Sequence, residues 1–425
     1  VLGGDPQTAF HAMIIVAAAW LARLVLGKAS PLRLRGLVLV PCIAAMLAAP
    51  QIAASLDWSR QSDRVLLQEP AESWFAPPVV GSRRHQAFEY SLPPWHAVEM
   101  LTPNAFGRLF PSNRRMRSLL AGDGRMWTPS IYMGMLVAMA CVARLWRWRS
   151  DGIDAWMGIA LLSISLAMGH FGVVWWLQAS TGLLASVDSA VGGPYWLAYH
   201  FVPGYDSLRY PAKWLSVFSL AAAMTTARSV DQEACRQRLR QLTWPTLITV
   251  AIAAIAIWLG SSVYALIHEG AGGDLAKDEF WGPLNIESAL SQIALSMVRS
   301  CLVATVLAWL LWRAHSANWP TRKLLWAILI LLVLDTTLAA RGMILRVRRS
   351  SEQQLIAEYE SINGPQDRRW MRTQSGGGWP RLWAETSNTQ RALEVEASQR
   401  VGWFGRWHLS ERRPVLNNMV SIRSH

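Results

Sequence analysis

Long uninterrupted apolar runs dominate this sequence, and they leave few folds open to it. Eight of them lie at 9–27, 33–55, 129–147, 153–178, 208–230, 243–267, 288–312 and 322–341. Each approaches the ~20 residues with which a helix crosses the ~30 Å hydrocarbon core of a bilayer. Lipid offers no partner for a free backbone amide, so such a segment must be helical or belong to a closed barrel. Barrel strands alternate apolar and polar side chains, and these runs do not. The pattern predicts an all-α polytopic membrane bundle of about eight transmembrane helices. Mean hydropathy is only +0.19, because two polar regions, 56–128 and 342–425, dilute the average.

The short connectors alternate in charge and so orient the bundle. Arg23, Lys28, Arg33 and Arg35 mark the first connector, and Arg144, Arg147 and Arg149 the third. Arg228, Arg236, Arg238 and Arg240 mark the fifth, and Arg313, Arg322 and Lys323 the seventh. By contrast, 179–207 has neither Lys nor Arg, and 268–287 sets Lys277 against five carboxylates. Basic connectors stay in the cytoplasm. Both chain ends and the loop 56–128 are then extracytoplasmic, since long loops cross regardless of their own charge. The chain is expected to cross its membrane many times. The net charge of +13 follows from this signal and from anionic lipid head groups. Nucleic acid is not an expected partner, because it requires a basic face on a soluble domain.

Four parts follow: helices one and two over 1–55, a large loop over 56–128, helices three to eight over 129–341, and a tail over 342–425. The loop is rich in proline and carries the apolar patch Leu92–Phe110, which predicts short helices lying on the outer face. Loops of this size are usually functional. In the tail, Ser351–Ile362 reads as a helix, and Arg368–Gln374, Ala392–Ala397 and Val415–Ile422 read as strands. They predict the start of an α+β extracytoplasmic domain. A span reached within a few residues of Val1, and a last strand near His425 with no partner yet, predict a piece of a longer polypeptide. Many of the 24 Trp sit near run ends and suit an interfacial belt. Cys42, Cys141, Cys235 and Cys301 show no CxxC and no zinc spacing, so free thiols and no structural metal are expected. No cofactor is readable, and a divalent metal stays open.

The sharpest local pattern is Phe201-Val-Pro-Gly-Tyr-Asp-Ser-Leu-Arg-Tyr-Pro-Ala-Lys-Trp214. Pro203-Gly204 makes a turn, and Pro211 suits the first turn of the fifth helix. Arg209 and Lys213 are four apart and share one face if the helix is already wound there. A guanidinium fork, an ammonium and a helix N-terminus together suit a lipid phosphate at the outer interface. In the other reading these two side chains snorkel to ordinary head groups.

The run Pro203–Lys213 resembles the proline–aromatic–arginine–proline motif of the YfhO-like bacterial membrane proteins. Gly4-Asp5-Pro6-Gln7 is similar to that family's Gly-His-Pro-Gln, with Asp5 in place of His. Ser62-Asp63-Arg64 resembles its Ser-x-Arg, and Ser91–Pro94 followed by Leu101–Gly107 resembles the loop leading to its Pro-x-x-Phe-Gly. Asp335 resembles its aspartate before the outer domain. The family is grouped with the GT-C glycosyltransferases, so the resemblance implies transfer of a sugar from a polyprenyl-phosphate donor to an extracytoplasmic acceptor. It implies substrate binding by Gln7, Arg64, Asp206, Arg209 and Lys213, converging on one cavity. It also implies that the acidic catalytic residue lies on an upstream loop, which leaves Asp5 as the one candidate here and a poor substitute. A different class, a non-catalytic structural or accessory subunit joined to other membrane subunits, stays open beside it, and a transporter ranks third.

Two charges lie within spans. Arg299 in the seventh and Asp335 in the eighth face costs that a partner or a cavity must relieve. A structural Arg299–Asp335 ion pair is the first expectation. His11 and His170 are lone histidines and read as packing residues.

Overall fold

The computed structural model describes residues 7–8, 10–16, 73–106, 128, 130–146, 154–231, 286–317, 319–341, 343, 348–363, 370–371, 393–394 and 415–416. Isolated positions between 42 and 57, and at 237, 255 and 259, complete the set. Most of the first, second and sixth expected spans lies outside it, as do Asp5 and Arg64.

Residues 10–16 are helical, and nine further helices have defined bounds within the described residues. They are α1 (Arg83–Ala87), α2 (Met135–Trp146), α3 (Ala155–Ala167), α4 (Val173–Thr181), α5 (Pro194–Phe201), α6 (Leu215–Asp231), α7 (Ile286–Ser316), α8 (Thr321–Ala340) and α9 (Arg349–Asn363). A 3-10 turn, Pro94–Met100, follows α1, so residues 73–106 of the long loop are partly helical, and α9 covers the helix expected in the tail.

Local chemistry accounts for several boundaries. Asp154 caps α3 by accepting from the Met157 amide at 2.9 Å. The same carboxylate meets Arg144 at 3.0 Å, tying the end of α2 to the start of α3. Gly182 stops α4 in the left-handed conformation. Pro194 occupies the first turn of α5, where its missing N–H costs nothing.

Three expectations need correction. The fourth span is not one helix over 153–178: α3 ends at Ala167, and α4 starts at Val173 after a turn through Gly169, whose φ is +55°. The fifth helix does not start at 208. Tyr210 is left-handed, Pro211–Trp214 is a 3-10 turn, and α6 begins at Leu215. In the tail, Leu393 and Glu394 are helical rather than strand. Ala, Leu and Glu around them are strong helix formers, and here local propensity outweighs the alternating pattern. The last strand, expected to lack a partner, has one: Val415–Leu416 pairs in parallel with Trp370–Met371.

Two cores hold the helices. One joins α3, α5 and α6 to loop residues such as Phe88 and Leu92. The other joins α2, α7 and α8 through Met139, Leu307 and Ile328. Two stretches, Leu290–Ser316 and Arg322–Ala340, are long and apolar enough to cross a membrane. Their outward side is an apolar wall. Val298, Leu302, Trp309 and Trp312 on α7, and Trp326, Ile330, Val333 and Leu334 on α8, each expose more than half of their surface. In water each would forgo on the order of 1 kcal/mol, about half the ~1.5–3 kcal/mol of full burial.

Candidate functional site

Helices α2 and α6 begin, and α3 ends, at one end of the bundle. Residues 73–106 lie across that end. The Leu92 amide donates to the Ala167 carbonyl at 2.8 Å, and the Tyr210 amide to the Ala87 carbonyl at 3.2 Å. The His170 amide donates to Ser91 Oγ at 3.2 Å.

Two ion pairs fasten the segment to the connector before α6. Arg84 and Asp188 are both buried and joined through Nη2 and Oδ2. Arg84 also donates to the carbonyls of Ser73 (2.9 Å) and Trp74 (2.7 Å). Asp188 accepts from the Ala190 amide at 3.0 Å, and its own amide donates to the Phe75 carbonyl at 2.7 Å. Arg83 meets Asp206 at 3.4 Å and donates to Ser207 Oγ at 3.0 Å. Within the 3-10 turn, His96 and Glu99 form a further buried pair at 2.7 Å.

Backbone strain concentrates at the same end. Tyr90 and Tyr210 both adopt left-handed backbone, φ 60° and 67°, and meet edge to face with ring centroids 4.8 Å apart. Pro211 bars Tyr210 from the right-handed helical region but favours extended backbone, so the left-handed turn there is imposed by the surrounding contacts. Such a residue costs about 1–3 kcal/mol and persists where its surroundings over-determine it. Gly169 makes the turn between α3 and α4. A Cβ there would overlap Ser91 Oγ and lie 2.7 Å from Pro211 Cγ.

The expected binding residues fall out unevenly. The Arg209 amide donates to Gln7 Oε1 at 3.3 Å, which brings those two together. Lys213 lies 5.9 Å above the Tyr210 ring. It lines a cavity of about 320 Å³ with Thr8, Ser130, Tyr132, Ser216 and Ser219. Asp206 is held by Arg83 instead and is not among the residues lining that cavity. Arg209 and Lys213 do not share a helical face, because Tyr210 breaks the backbone between them.

Arg299 and Asp335 form an ion pair at 2.9 Å, within the hairpin of α7 and α8. The carboxylate does more than answer Arg299. Asp335 Oδ2 accepts from the Tyr132 hydroxyl at 2.7 Å and from the Met135 amide at 3.1 Å. It therefore anchors the start of α2, and Tyr132 carries that anchor to the wall of the 320 Å³ cavity. His11 is fully buried and stacks on Trp214 with centroids 4.0 Å apart. Trp214 Nε1 in turn donates to the Tyr205 hydroxyl at 2.5 Å. Burial pushes the Tyr205 phenol far above its ordinary range, against the smaller opposing pull of that Trp214 donor.

A larger cavity, about 660 Å³, opens between the loop and the connector. His85, Glu89, His170, Gln178, Asp188 and Ser189 contribute its polar walls. His170, read from sequence as packing, thus faces a cavity. Nearby, His200 stacks on Trp74 at 5.0 Å. Partial burial lowers its pKa, the Arg84 charge lowers it further, and Asp188 opposes both. Sequence patterns give no sign of the His96–Glu99 pair. The Arg84–Asp188 and Arg83–Asp206 pairs did leave a trace: 179–207 holds Asp188 and Asp206 without one Lys or Arg, so their partners had to come from elsewhere. Comparison with protein-family models, with curated proteins and with solved structures finds no match.

Proposed function

We propose that this chain is a multi-pass protein of the bacterial cytoplasmic membrane that acts as a GT-C-type glycosyltransferase. In this reading it has about eight spans, an α+β tail, and both chain ends outside. It moves a sugar from a polyprenyl-phosphate donor to an extracytoplasmic acceptor. The observation that supports it best is the 320 Å³ cavity, where Lys213 is the one cation among the described lining residues and stands among hydroxyl groups. A lipid phosphate needs such a place: an ammonium and donors for the head, at the end of helices whose apolar sides receive the tail. The apolar wall of α7 and α8 fits lipid as its solvent.

In the transfer, the bond from the anomeric carbon to phosphate oxygen breaks and a bond from that carbon to the acceptor oxygen forms. The acceptor proton passes to a base, and the lipid leaves as a phosphate whose charge Lys213 offsets. Gln7 and Arg209 hold the chain that frames the cavity through their 3.3 Å hydrogen bond.

The test is a titration of the full chain in nanodiscs with undecaprenyl phosphate and with undecaprenol. The phosphate should bind more tightly, and Lys213→Ala should weaken it roughly tenfold or more while leaving the alcohol unchanged, as expected for a lost charge-assisted contact. Equal binding of the two lipids would sink the reading. Phosphate binding without sugar transfer would instead leave the chain as a non-catalytic subunit.

A further inference from the structure

The 660 Å³ cavity is unclaimed by the donor reading. Its volume lies in the range that encloses a small ligand, roughly 300–1,000 Å³. One wall comes from the loop, with His85 and Glu89, and the other from the stretch between α3 and α5, with His170, Gln178 and Ser189. The Arg84–Asp188 pair clamps the two walls, so the space is preformed rather than a gap between loose segments.

The lining chemistry narrows the ligand. Asp188 is neutralised by Arg84, and Glu89 adds a carboxylate, so an anion finds repulsion and no counter-charge. Among the described residues no three His, Cys, Asp or Glu side chains converge as a metal set. Hydrogen-bonding groups of both kinds remain. His85 contributes an imidazole to the wall. Gln178 spends its amide hydrogens on the Leu184 and Val187 carbonyls, at 2.7 and 2.8 Å, which leaves its oxygen as an acceptor. Ser189 adds a hydroxyl, while Pro77, Pro78 and Val187 supply apolar surface. Hydroxyl groups that both donate and accept, on a ring with an apolar C–H face, match that mixture. We propose that this cavity binds a neutral polyhydroxylated ligand, a sugar ring, and serves as the acceptor site beside the lipid-phosphate cavity.

The acceptor role rests on the transferase reading, whereas sugar binding does not. Its geometric support is the turn at Gly169. His170 faces the larger cavity, and Pro211, packed against Gly169, leads directly into Ala212 and Lys213 of the smaller one. The turn at Gly169 and Pro211 thus adjoins a lining residue of each cavity.

Saturation-transfer NMR on the full chain in nanodiscs, with glucose, galactose, mannose and N-acetylglucosamine as probes, tests this. At least one sugar should show transfer, and Ala185→Trp, on an exposed part of the cavity wall, should abolish it without disturbing the core. His170→Ala should weaken it at least fivefold, while Lys213→Ala should leave it unchanged. If no sugar shows transfer, or if Ala185→Trp leaves the signal intact, the proposal is overturned. Sugar binding without discrimination between undecaprenyl phosphate and undecaprenol would retain the sugar site and remove the transferase reading. The opposite result would retain the lipid site and remove this one.

Discussion

The hairpin of α7 and α8 and the capped end of α2, α3 and α6 are held by different means. Along the hairpin, apolar side chains face outward as well as inward, and one carboxylate, Asp335, gathers Arg299, Tyr132 and the Met135 amide. At the capped end, the cross-links are many and polar, and the backbone carries strain at Tyr90 and Tyr210. Away from that one carboxylate, the hairpin relies on apolar packing, which tolerates substitution well. A cap that positions two cavities is specified group by group, and each removed group leaves another one unsatisfied.

That contrast can be broken most severely at Arg84. Arg84→Ala leaves Asp188 as a buried lone charge and frees the Ser73 and Trp74 carbonyls. It should destabilise the cap by about 4 kcal/mol, within the range for breaking one side of a buried pair. Thermal unfolding of the detergent-solubilised protein measures this, and a loss under 1 kcal/mol would mean that the clamp is not structural.

Next comes Gly169→Ala. Overlap with Ser91 Oγ and left-handed backbone together should cost about 3 kcal/mol. Limited proteolysis should then cut within 73–106 sooner than in the wild type, with the hairpin unaffected.

A smaller effect, about 2 kcal/mol, is expected for Asp335→Asn, which keeps an acceptor for Tyr132 while removing the charge facing Arg299. Pairing it with Arg299→Met should recover part of the loss, because no lone charge then remains. A double variant as unstable as the sum of the singles would argue against a coupled pair.

The smallest effect concerns pH. His200 titrates lower in the folded protein than its ordinary ~6.5. The unfolded chain takes up the proton first as pH falls below about 6.5, so the stability fully present above that pH declines until the folded-state pKa is reached. His200→Gln should remove that slope between pH 7.5 and 5.5. An unchanged slope would assign the acid sensitivity to another group.

Composition and periodicity alone dictated the long helices α7 and α8, the helix α9, and the encounter of Arg299 with Asp335. Two runs of ~20 apolar residues joined by a short turn fold back on each other. Charges placed at similar distances from that turn then meet. The sequence also marked Pro211 as the start of a helical turn, though it could not show that Tyr210 would turn left-handed and part Arg209 from Lys213. Only the tertiary structure decided the break after Ala167, since Gly169 inside an apolar run reads as helix until Ser91 and Pro211 crowd it. It alone decided that Arg83 and Arg84 answer Asp206 and Asp188, more than a hundred residues away. It alone made His170 a cavity residue. Helix formation and apolar patterning act between near neighbours and are written locally, whereas ion pairs and cavity walls arise from segments that meet only once the chain has folded.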